Sequence, residues 1–263
     1  MLNHSCVANA IRTYVNGTMI VHACQTIQPG TEIVWSYIPP TQVFAERRRA
    51  LKRRHGFLCK CERCLVEAKE LRRDILPSNV KLALEEARKW NDVLIDVSTC
   101  ENVLKRQLCG AFVNLDETVF KSTSLSNHVK RHLRVGYTNL HFNYFNAMLS
   151  ANGTSGSNAQ QAQELVLNAA TQLHFAFCVS NNASTEHISV LHLCYELMSV
   201  IHLTNRDATK NQVKFWTEAM KKTHMTRYGE MGSDLEAVRK CLVHTRTILR
   251  QRDGFLKTQF RFL

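Results

Sequence analysis

Three cysteines fall within six consecutive positions of this chain, in the run FLCKCERC at residues 57–64: Cys59, Cys61 and Cys64. Thiols at C-x-C-x-x-C spacing are metal ligands, and a closed tetrahedral site needs a fourth. Lys60, Glu62 and Arg63 make the run too polar for three thiols simply buried in a core. His55 is near in sequence but ends a predicted helix. Further away, Cys24 sits in the middle of a predicted strand, and Cys6 in a polar, loop-like stretch. Cys6 is therefore the expected fourth ligand, and zinc the expected metal. Such a bond staples the start of the chain to the segment after residue 57. In small modules structural zinc contributes on the order of 10 kcal/mol of folding energy.

The elements around this staple divide by residue pattern. Residues 10–15 (AIRTYV) read as a strand, Asn16-Gly17 as a hairpin turn, and residues 19–27 as a second strand. Pro29-Gly30 turns the chain into a third strand at 32–38, which Pro39-Pro40 ends. Thr41 is the expected cap of a helix through His55, stopped by Gly56. Beyond Leu65 the periodicity is helical. Pro77-Ser78 opens a segment to about Leu108, and helices follow near 127–150, 157–179, 186–203, 208–225 and 233–251. The segment 186–203 is apolar nearly all round and is expected at the centre. The expected fold class is α+β: a partial small β region with a zinc loop, then a larger all-α, tetratricopeptide-like domain. The expected boundaries are 1–40, 41–75 and 76–263.

The formal charge is +12 over 263 residues. Much of the excess lies in one helix, ERRRALKRRH at 46–55, which spreads Arg47, Arg48, Arg49, Lys52, Arg53 and Arg54 around its axis. That pattern suits a solvated helix or an acidic-partner surface, with nucleic acid among the partners it admits. No apolar run is long enough to span a membrane, and no signal-peptide pattern precedes Asn3-His4-Ser5. The expected location is cytoplasm or nucleus, where the remaining cysteines (Cys24, Cys100, Cys109, Cys178, Cys194 and Cys241) read as small buried apolar residues.

NHSC at 3–6, the hairpin, GTEIVWSY at 30–37, Phe57 and the cysteine run occur in that order. This series resembles the C-terminal half of a SET domain followed by its post-SET zinc loop. The helical tail makes the chain similar to the SET-and-MYND type, or to plant SET proteins with a tetratricopeptide-like tail. The resemblance is specific over residues 2–66. It implies a protein-lysine N-methyltransferase that uses S-adenosylmethionine and acts on a histone or another protein. On that resemblance Asn3 and His4 hold the cofactor, Phe57 stacks on its adenine, and Tyr37 is the catalytic tyrosine beside it. Cys6 completes the zinc site with Cys59, Cys61 and Cys64. Ala8 replaces the family's usual proline, and His55 stands where a channel tyrosine is frequent. The family's glycine-rich cofactor strand and MYND finger are not among these residues, so the chain is expected to be a piece of a longer protein. The alternative expectation is a non-catalytic, zinc-stapled helical scaffold.

Overall fold

The computed structural model describes residues 2–15, 17–72, 74–92, 101–121, 125–151, 157–180, 182–204 and 206–228. The expected helix at 233–251 lies outside them, as do Cys100 and Cys241.

Four short strands open the chain: β1 (Asn3–His4), β2 (Ala10–Val15), β3 (Thr18–Ala23) and β4 (Val34–Trp35). β2 and β3 pair antiparallel, with Val15 opposite Thr18, so two residues make the turn. Gly17 sits there at φ 79°, the left-handed conformation such turns require. The second and third strands are shorter than their patterns suggested. β4 pairs parallel with β1, Asn3 with Val34 and His4 with Trp35. Asn9 fixes that junction. Its Nδ2 donates to the Glu32 carbonyl at 2.8 Å, and its Oδ1 accepts from the Val34 amide at 2.8 Å.

α1 (Phe44–His55) starts two residues later than expected, and Val43, not Thr41, is its cap residue. The turn that closes with the Gln42 amide on the Pro39 carbonyl occupies Thr41 and Gln42. The stop is as expected: Gly56 at φ 77° returns its amide to the Lys52 carbonyl. This reversal delivers residues 57–61 to α2 (Glu62–Glu70).

The rest is helix. The segment expected at 78–108 contains α3 (Ser78–Asn91) and the start of α4 (Asn102–Leu115), which runs on as a single π-helical turn at Asp116–Phe120. The segment expected at 127–150 is broken into α5 (Asn127–Gly136) and α6 (Thr138–Ala151). Asn91 accounts for the break. It donates to the Gly136 carbonyl and accepts from the Leu140 amide, both at 3.1 Å, satisfying polar groups at the end of α5 and the start of α6. Then come α7 (Ser157–Ser180), α8 (Thr185–Thr204) and α9 (Arg206–Tyr228).

One apolar core joins α3 through α9, with Phe112 stacked on Tyr144 at 3.9 Å and Phe145, Phe177, Leu191 and Leu197 fully enclosed. α8 lies between α7 and α9, as its all-round apolar surface requires. Among the described residues no helix is long and apolar enough to cross a membrane. The hairpin rests on the far end of this layer, where Asn182 Nδ2 donates to the Cys24 carbonyl at 2.8 Å and Ala183 closes over Ile11.

Candidate metal centre and adjoining aromatic pocket

β1 leads into Cys6, and the turn after α1 leads into Cys59 and Cys61, with Cys64 on the first turn of α2. The four sulfurs lie within 4.8 Å of one another, and Cys6 and Cys64 are 3.6 Å apart. Zinc–thiolate bonds near 2.3 Å give a tetrahedron with edges of about 3.8 Å. The donor set therefore fits a tetrahedral, thiophilic divalent ion. Cys6 and Cys64 are buried, while Cys59 and Cys61 are partly so. Hydrogen bonds from the neighbouring sulfurs, that of Cys59 first, hold the Cys61 thiol far below its ordinary range. Cys24, the rejected candidate, lies elsewhere and donates to the Ala8 carbonyl.

A ring cluster adjoins the sulfurs. The parallel pairing sets His4 beside the segment after β4, and its Nδ1 accepts from the Tyr37 amide at 3.0 Å. Burial lowers the His4 pKa to about 4, so the ring is neutral and its proton sits on Nε2, 3.4 Å from the Cys6 sulfur. His4 thus touches both groups. Its ring is 5.2 Å from Tyr37 and 5.9 Å from Phe57, and His55 approaches Tyr37 at 4.9 Å. The Tyr37 hydroxyl donates to the Leu2 carbonyl at 2.6 Å. Trp35, at the end of β4, meets Tyr37 edge-on at 6.1 Å. It is only half-buried, with Arg12 4.3 Å above its ring. Asn3 is exposed and donates to Glu32 at 2.5 Å.

Two arginines depart from expectation. Arg47 and Arg63, read as surface cations, are fully buried. Glu67 explains how: its carboxylate takes Arg47 Nη2 on one oxygen and Arg63 Nε, at 3.3 Å, on the other. Arg63 also donates to the Pro40 carbonyl at 3.0 Å and the His132 carbonyl at 2.9 Å. It therefore ties the cysteine-bearing helix to α5. Ala50 and Leu51 of α1 pack with Cys6 and Cys64 in a small apolar cluster.

A further His/Cys group lies in the helical layer, where His174, Cys178 and His187 bring ligand atoms within 4.8 Å. Cys178 is exposed here, contrary to its reading as a buried apolar residue. The Ala183 amide donates to His187 Nδ1 at 3.1 Å, so the neutral ring carries its proton on Nε2 and donates it to His174 Nδ1 at 2.8 Å. The nitrogens that a metal would take are already joined to each other.

Residues 1–38 match the family model of the SET domain. The match covers β1 through β4, Cys6 and Tyr37. Among named relatives, the chain is 34% identical over 122 residues to histone-lysine N-methyltransferase SET5 of Meyerozyma guilliermondii, covering 40% of this chain and 25% of that one. It is 36% identical over 92 residues to N-lysine methyltransferase SMYD2 of Sus scrofa, covering 35% and 19%. Against SMYD2 of Homo sapiens it is 36% identical over 70 residues, covering 27% and 16%. The chain thus spans a quarter or less of the length of these relatives.

Proposed function

We propose that this chain is part of a protein-lysine N-methyltransferase, with zinc in the four-cysteine site and S-adenosylmethionine beside the ring cluster. One observation carries the reading. His4 joins the sulfur set to Tyr37, so the cysteine clamp and the ring cluster form one unit, and His4, Cys6 and Tyr37 lie within the residues that match the SET model. When bound, the cofactor supplies an electrophilic sulfonium methyl group. The aromatic faces of Tyr37 and Phe57 suit a flat base and a cationic head. Leu2 holds the proton of the Tyr37 hydroxyl, which leaves the oxygen's lone pairs to orient a lysine amine. Zinc's task is mechanical: it fixes Phe57 against the opening strand.

Radiolabelled methyl transfer to histones and to a cell extract tests this, using the chain and a longer form that extends it upstream. Tyr37→Phe is expected to lower turnover about a hundredfold, the scale of a lost orienting contact, without loss of metal or of the melting transition. Full activity in Tyr37→Phe removes the catalytic assignment. Absence of S-adenosylmethionine binding by both forms in calorimetry favours the non-catalytic scaffold instead.

We also propose that α1 receives an acidic partner. Arg49, Lys52, Arg53 and Arg54 are all exposed, and no ion pair to a carboxylate is formed by them among the described residues. Binding to duplex DNA or a polyglutamate peptide is expected to fall steeply with salt, and Arg49→Glu with Arg53→Glu to weaken it about tenfold. Affinity indifferent to both leaves α1 a solvated helix.

A further inference from the structure

Nothing in the transfer chemistry uses Arg47, and a solvated helix has no reason to bury it. Its Nη1 donates to the Gln42 carbonyl at 2.7 Å, and its Nη2 reaches Glu67. Its Nε–H meets no acceptor in hydrogen-bond geometry. Leu51, one turn further on, shares its helix face and packs against Cys6 and Cys64. Burial opposes the Arg47 charge, but Glu67, Cys6 and Cys64 more than offset it and hold its pKa above the ordinary range.

The charges explain the placement. Arg47 and Arg63 share the single carboxylate of Glu67, so the buried group carries one surplus positive charge. A buried charge without a counter-charge is strongly unfavourable. Four thiolates around a divalent ion carry two net negative charges, and Arg47 is the cation on their side.

We infer that Arg47 is the charge partner of the four-cysteine metal site, its buried guanidinium balancing the metal–thiolate anion and its unmatched Nε–H turning to the sulfur of Cys6 once the metal is bound. The inference rests on the metal reading given above. Cys6 then receives two donors, His4 Nε2–H at 3.4 Å and Arg47. Groups of this kind act through the ligand they hold, so Arg47 is a positioning residue. Their loss lowers metal affinity about 10–100-fold.

The test loads the whole chain with zinc and times its release to a chromophoric chelator, for wild type, Arg47→Met and Arg47→Lys. Arg47→Met leaves the neutral Arg63–Glu67 pair in place, and circular dichroism checks that the loaded protein is folded. Arg47→Met is expected to release zinc about 10–100-fold faster than wild type, with Arg47→Lys between them. In the cobalt(II) form, loss of the N–H···S donor is expected to move the sulfur-to-cobalt absorption band to longer wavelength. A purely structural role for Arg47 leaves that band where it is. Unchanged release rates with an unmoved band overturn the inference and leave the zinc reading standing. A wild-type chain that takes up neither zinc nor cobalt overturns the metal reading and this inference together. Should Arg47→Met fail to fold, Arg47→Lys decides by the same two readouts.

Discussion

If zinc fills the four-cysteine site as proposed, chelating it, or replacing Cys64 with serine, is expected to unfold roughly the first seventy residues and leave α3 through α9 standing. The apolar cluster that Cys6 and Cys64 share with Ile38, Ala50 and Leu51 is small, and much of its remaining lining is the sulfurs themselves. Neither two-stranded sheet is independently stable. Removing a site worth on the order of 10 kcal/mol therefore exceeds what the local packing retains. The helical layer has its own large core and none of the four ligands. Amide hydrogen exchange read by mass spectrometry separates the two regions. Protection should vanish in β1, β4 and α2 after chelation and persist in α6, α7 and α8. Uniform retention of protection in the opening region would show that packing alone holds it.

Glu67→Ala is the second large effect, and it acts without touching a ligand. The carboxylate is 1% exposed and lies between two guanidiniums that are 0% exposed. Deleting it leaves like charges facing each other with no counter-ion between them. Breaking a buried pair in this way costs about 3–5 kcal/mol, enough to move the melting temperature by many degrees. Glu67→Gln keeps the shape and accepts one donor, so it falls between wild type and alanine. The loss is expected with zinc bound and should disappear after chelation, which has by then unfolded the region that holds the three charges. Thermal melts of the three proteins, with and without zinc, supply the comparison. Equal stability of Glu67→Ala and wild type would mean that water reaches the arginines.

What the residues disclosed in advance follows from how local each cause was. The turn at Gly17, the Gly56 stop and the grouping of four sulfurs depend on turn chemistry or on a count of ligands. They were therefore legible, down to the selection of Cys6 over Cys24. The parallel pairing of β1 with β4 was not, because two-residue strands carry no periodicity. Nor was the break at Gly136–Tyr137, which is set by Asn91 from another helix. Arg47 and Arg63 read as surface residues because charge ordinarily means exposure. Their shared counter-ion, Glu67, lies twenty residues from Arg47, and only the fold brings them together. Asn9 likewise gave no signal, since its partners are backbone groups of a distant segment.

The pairing of residues 3–4 with 34–35 closes a loop of residues 5–33 that contains the hairpin. Chain entering and leaving that excursion is fastened at its neck, by the strand pair and by Asn9. Its tip, at Gly17 to Met19, faces solvent. Length and sequence at the tip are thus free to drift between relatives while the rings and sulfurs below keep their positions. The same separation makes the tip a place to splice in a fluorophore or an epitope without disturbing the chemistry beneath it.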